Sequence, residues 1–174
     1  MQMILCTTSS WCLGTPEGVP WFDAEEVKRF HSLTLGGTLV MGRKTYELDL
    51  PWMRRARKVV LSRQPLELPG ATVFNTITEV ARTCPDAWVV GGQMTFQAFL
   101  PHTRFIYLTR HPCAVQGTIG MPEIAWSLWS AAGKTVSHDR EMTILVRKTL
   151  ARTQSRADSG TAATKRKEEA KSSR

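Results

Sequence analysis

Three short stretches of this chain carry side chains whose types and spacing could do chemistry together. In residues 38–47 the apolar run Leu39, Val40 and Met41 delivers Gly42, then Arg43, Lys44 and Thr45. Glycine lets the backbone turn tightly. Cations and a hydroxyl at a helix start stand where unpaired N–H groups and the positive dipole end receive an anion such as phosphate. A second turn of this kind follows Val89 and Val90, where Gly91 and Gly92 open into Gln93, Met94, Thr95 and Phe96. The third feature is an acid: Glu26 precedes Phe30 by four positions, which puts carboxylate and ring on the same side of a helix. Each feature also has a plainer reading. The charges of the first turn could be merely solvated, the glycine pair could serve packing, and Glu26 could be the capping-box partner of Asp23 as N-cap.

The elements that must position these residues follow from the hydrophobic pattern. Residues 3–6 form a short apolar run that suits a central strand, and residues 7–18 read as a loop rich in Ser, Thr and Gly, ending at Pro20 and Trp21. Pro20 restrains its neighbour to extended geometry, while Trp21 brings a large ring with one N–H donor. From Asp23 the pattern becomes helical, with Val27, Phe30 and Leu33 as the apolar face and Gly36–Gly37 as the stop. After the strand and turn of residues 38–47, residues 46–53 read as a short helix broken by Pro51. The basic cluster of residues 54–58 then precedes the β-branched strand 59–61, and is either a solvated loop or a carboxylate-binding rim. Ser62 and Arg63 close that strand at its carboxyl end, where ligands gather in α/β sheets. A strand at 72–74, a helix at 78–83 capped by Thr76 or Thr78, the strand and helix of 87–100, and a strand at 105–109 follow. The remainder reads as two antiparallel strands, 134–137 and 142–150. Strands alternating with helices predict an α/β fold: a mainly parallel central sheet flanked by helices on both faces, finished by a C-terminal antiparallel hairpin.

Composition bounds the rest. At 174 residues, 42% of them hydrophobic, the chain suits one domain with a single substantial core. The net charge of +8 invites a nucleic-acid reading. Residues 151–174, however, hold seven Lys or Arg against three acids, so half of the excess sits on a segment with almost no large apolar residues. Such a segment cannot offset its ordering entropy and is expected to be a disordered basic tail behind a domain of residues 1–150. No aromatic interleaving accompanies the charge, so specific nucleic-acid binding is not expected. Cys6, Cys12, Cys84 and Cys113 lack Cys-x-x-Cys spacing, which points to free thiols rather than a metal site. The N-terminus has no basic leader and no apolar segment approaches membrane-spanning length, so a cytoplasmic setting away from any membrane is expected.

Val-Pro-Trp at 19–21, Glu26 with Phe30 and Thr34, Met-Gly-Arg-Lys-Thr at 41–45, Val-Leu-Ser-Arg at 60–63, Val-Val-Gly-Gly at 89–92 and Leu-Thr at 108–109 form an ordered set. Over roughly residues 3–150 that set resembles dihydrofolate reductase. The resemblance implies a monomer that uses NADPH to reduce a dihydrofolate-like small molecule. It implies Glu26, Trp21 and Thr109 as catalytic residues: the carboxylate would bond the pterin's 2-amino and N3 edge, Thr109 would orient it and Trp21 would hold a water beside it. Leu5, Cys6, Val27, Phe30, Met53, Arg57 and Val90 would complete the substrate site. For the cofactor it implies Cys6, Leu13, Gly14, Val19, Gly42, Arg43, Lys44, Thr45, Leu61, Ser62, Arg63, Val90, Gly91, Gly92, Gln93, Met94, Thr95 and Phe96. Arg43, Ser62 and Arg63 would hold the adenosine 2′-phosphate, and the loop of Leu13, Gly14 and Val19 would close over the nicotinamide. Three positions depart from the pattern: Ala56 stands where an arginine for the substrate's α-carboxylate is usual, Thr118 where bacterial members carry an acid, and Met94 where many carry a base. Ala56 leaves open a related pteridine or riboflavin-pathway reductase whose substrate lacks the glutamate tail. A non-catalytic ligand-binding or assembly module on the same fold is the other alternative.

Overall fold

The computed structural model describes residues 1–21, 24–113, 117–137 and 140–149. The tail of residues 151–174 and the N-cap expected at Asp23 lie outside these. Strands β1 (Gln2–Thr8), β3 (Thr38–Gly42), β4 (Arg57–Leu61), β5 (Ala71–Phe74), β6 (Trp88–Gly91), β7 (Phe105–His111), β9 (Trp129–Ser137) and β10 (Arg140–Arg147) form one sheet. Their order is β5-β4-β3-β6-β1-β7-β10-β9. All pairings from β5 to β7 are parallel, whereas β10 runs antiparallel to both β7 and β9. Two short strands, β2 (Cys12–Gly14) and β8 (Ile119–Gly120), pair separately.

The period-two alternation of side chains along each strand divides the core into two layers. Met3, Leu5, Val40, Val59, Val89, Ile106 and Leu108 pack on one face, together with Val80 of α3 (Ile77–Thr83) and Phe96 and Phe99 of α4 (Gln93–Phe99). Their immediate neighbours Ile4, Leu39, Met41, Val60 and Trp88 point to the other face. There they meet Phe30 and Leu33 of α1 (Ala24–Thr34) and Tyr46 of α2 (Arg43–Glu47). Helices therefore cover both faces of the sheet, as the alternation of strands and helices predicts.

Local differences from the sequence reading have local causes. The loop read at 7–18 contains β2, whose three residues are too few to show a periodicity. Of the helix read over 46–53, only Tyr46 and Glu47 fall in α2, and Pro51–Met53 form a separate 3-10 turn, because proline starts a helical turn more readily than it continues one. Thr76 rather than Thr78 caps α3, accepting from the Glu79 amide at 3.2 Å. The hairpin's first strand begins at Trp129, five residues before the reading placed it. Ser130, Ala131 and Gly133 have weak strand preference and are extended through their pairing with β10, with Ala132 at a shift of register between them. Arg147, at the end of β10, anchors this hairpin: its guanidinium lies over Trp129 at 4.7 Å, donates to the Thr103 carbonyl at 2.9 Å and also to the Leu100 carbonyl.

Candidate active site

The carboxyl ends of β1, β3, β4 and β6 open into a cleft of about 1280 Å³. Pockets for drug-sized ligands run to roughly 300–1,000 Å³, so the cleft has room for a long ligand and a second, smaller one beside it.

Its phosphate-ready wall is built from two interlocked corners. The turn from β3 to α2 brings Gly42, Arg43, Lys44 and Thr45 to the cleft, and the turn from β6 to α4 brings Gly91, Gly92, Gln93, Met94, Thr95 and Phe96. A Cβ at Gly42 would stand 2.8 Å from the Thr95 hydroxyl, and one at Gly92 would stand 3.4 Å from the Thr45 hydroxyl. Each glycine thus makes space for the other corner's threonine. Gly91 has φ +129°, which residues with a side chain rarely adopt, and the Gly91–Gly92 peptide is cis. The result is two helix starts, in reach of each other, aimed into one space.

The cations beside them are lightly held. Arg43 donates to Glu47 at 2.8 Å, but both side chains are about half exposed, and such a pair is worth under about 1 kcal/mol. Arg63 is exposed at the cleft edge. Ser62 is buried, and its hydroxyl donates to the Gln64 carbonyl at 2.9 Å while accepting from the Gln64 amide at 3.2 Å. It shapes the turn that presents Arg63.

The opposite end gathers the acid and the apolar surfaces. Glu26, Val27 and Phe30 of α1 face Leu5 and Cys6 of β1, Val90 of β6 and Met53 of the 3-10 turn. The Glu26 side chain is 17% exposed and its Oε2 accepts from Arg29 at 3.0 Å. It lines the cleft rather than facing bulk water, a carboxyl group on an inner wall. Trp21 also lines the cleft and is 7% exposed. It stacks on His111 with centroids 6.5 Å apart, and its buried Nε1 has no hydrogen-bond partner. A buried donor without a partner costs about 1–3 kcal/mol, so this N–H suits a water or a ligand atom. Leu13 and Val19 reach the cleft from the loop after β1, where the Thr15 hydroxyl bonds Glu17 and holds its carboxyl below the usual carboxylate range.

Three residues expected at the site stand apart from the cleft lining. Thr109 is buried next to Cys6 across the β1–β7 pairing. Gly14 lies behind the loop, where a Cβ would stand 2.4 Å from the Gly18 carbonyl oxygen. Arg57 directs Nε and Nη2 at the Thr38 hydroxyl, at 3.1 and 2.8 Å. Conversely, Ile4, Leu50, Trp52, Gln64, Asn75, Thr76 and Ile119 line the cleft without having been singled out as site residues. Thr76 carried a readable cap signal and Trp52 followed a proline. Ile119 is brought in by the β2–β8 pairing, for which the sequence held no sign. Among the described residues no group of three or more His, Cys, Asp or Glu could hold a metal ion.

Residues 1–152 match the family model described as dihydrofolate reductase. The dihydrofolate reductase of Haemophilus influenzae is 29% identical over 132 residues, 74% of this chain and 82% of that protein. That of Mycobacterium tuberculosis (strain H37Rv) is 36% identical over 129 residues, 71% and 74% of the two chains. Among solved structures, a dihydrofolate reductase from Enterococcus faecalis complexed with NADP(H) and RAB-propyl superposes with a TM-score of 0.76. It is 23% identical, covering 85% of this chain and 96% of that one.

Proposed function

The chain belongs to the dihydrofolate reductase family and is an oxidoreductase of that type, and from that premise we propose that it reduces 7,8-dihydrofolate to 5,6,7,8-tetrahydrofolate with NADPH. The observation that carries this reading is the shared cleft, in which an inward carboxylate stands across from two interlocked glycine corners flanked by cations.

The chemistry asks for a hydride at C6 of the pterin and a proton at N5. NADPH supplies the hydride when bound. The cleft wall at Gly42, Gly91 and Gly92, with the amides of both helix starts and Lys44, would hold its pyrophosphate. Arg43 and Arg63 would take the 2′-phosphate, where paired guanidinium bonds select NADPH over NADH. Glu26 bonds the pterin's 2-amino and N3 edge and favours the protonated ring, while the unpartnered Trp21 N–H holds a water beside it. Thr109 orients the carboxylate from the neighbouring strand. Phe30, Val27, Leu5 and Met53 stack and wedge the rings so that the reacting carbons meet, and the loop of Leu13 and Val19 excludes water from their path. We place this activity in a monomeric, cytoplasmic catalytic unit of residues 1–150. The test is direct: purified protein with NADPH and 7,8-dihydrofolate should lose NADPH absorbance, and no loss above the blank would refute the assignment.

A further inference from the structure

We infer that the site reads the pterin and its flat aromatic extension but not the dicarboxylate tail, so that uncharged-tail dihydropterins are equally good substrates. This rests on the reductase reading above. The cations that line the cleft among the described residues are Arg43, Lys44 and Arg63, all grouped with the glycine corners at the cofactor end. The far end, past Glu26, is walled by Val27, Phe30, Leu50, Trp52 and Met53, and four of these pack on one apolar cluster. Ala56 packs on that same cluster with a methyl group.

The arginines beside it, Arg54, Arg55 and Arg57, all lie outside the cleft lining. Arg54 makes a forked contact with Asp49 at 2.8 to 3.2 Å, and Arg57 forks onto Thr38. Lys58 donates to the Arg54 carbonyl at 3.1 Å, and Arg55 is exposed and away from the cleft lining. Arg29 and Lys28 pair with Glu26 and Glu25 along α1, and neither lines the cleft. Phe22 and Asp23, next in sequence to Trp21, bring no cation. Among the described residues, a carboxylate tail leaving this end meets hydrocarbon and then water. Its charge stays solvated and contributes nothing that a neutral tail would not.

The experiment compares 7,8-dihydrofolate with its bis-amide, which has the same shape and no tail charge, at about 0.15 M salt so that the general attraction of a basic chain for anions is screened. Expected are kcat/KM values within about threefold of each other, and no change in the KM for dihydrofolate in Arg55→Ala or Lys28→Ala. A preference for dihydrofolate of about tenfold or more, the size of one charge-assisted bond, overturns the inference, as does a tenfold rise in KM in either variant. Ala56→Arg adds a gain of function: kcat/KM should rise about tenfold for dihydrofolate and stay level for the bis-amide. An equal response to both substrates would overturn the placement of the tail beside Ala56. If neither substrate consumes NADPH, the reductase reading itself has failed, an outcome distinct from any preference between them.

Discussion

Glu26 and the corner glycines come from different elements of the cleft, α1 and the two strand-to-helix turns, so substitutions at each should fail differently. Glu26→Gln keeps the shape and removes the charge. Turnover at neutral pH should fall by about a hundredfold or more, the usual weight of an acid–base group, while a fluorescence titration with NADPH should give nearly the wild-type Kd. Unchanged turnover would remove Glu26 from the mechanism. Gly91→Ala should do the reverse. At φ +129° an alanine is strained by about 1–3 kcal/mol, and its methyl group would stand 3.5 Å from the Phe96 ring. A lower midpoint in urea together with weaker NADPH binding is expected, with dihydrofolate KM little altered in whatever folds. Equal stability and Kd would mean that the corner is not held as described.

At the scale of elements, the hairpin of β9 and β10 carries a titratable cross-strand pair. Lys134 bonds Glu141 at 2.9 Å and holds its carboxyl below the ordinary value of 4.5. A depressed carboxyl stabilises the fold above that ordinary value and loses its contribution as pH falls through the depressed one. Lys134→Met should therefore lower Tm slightly at pH 7, and the difference from wild type should vanish in strong acid and at high salt. A difference that persists at pH 2 would point to packing instead. The elements also differ in how legible they were. The strands of the parallel half announce themselves because both faces are covered, so Leu39, Val40 and Met41 or Val59, Val60 and Leu61 appear as unbroken apolar runs. The glycine corners and the inner acid were visible in residue types alone. Two things were not. The first half of β9 is extended through its pairing with β10, and its small residues carry no signal. The partners of the basic cluster were equally hidden: a run of four cations within residues 54–58 looks like a ready carboxylate rim, and only the fold shows Arg57 turned to Thr38 and Arg54 to Asp49.

Across the whole molecule the charge is unevenly shared, with half of the net +8 carried by residues 151–174. We expect that removing them leaves kcat/KM within about twofold and Tm unchanged, since they supply no large apolar side chain to the core; a large loss of activity would place the tail at the site. No helix among the described residues is long and apolar enough to cross a membrane. The order of strands has a consequence for biosynthesis. β10 is the last strand among the described residues, yet it lies between β7 and β9, and Arg147 at its end ties the hairpin to the carbonyls beyond α4. A nascent chain that stops before Arg147 carries β9 with no place to dock and β7 as a bare edge, ready to pair with another such chain. Messages truncated upstream of that codon should therefore yield aggregates rather than a weaker enzyme.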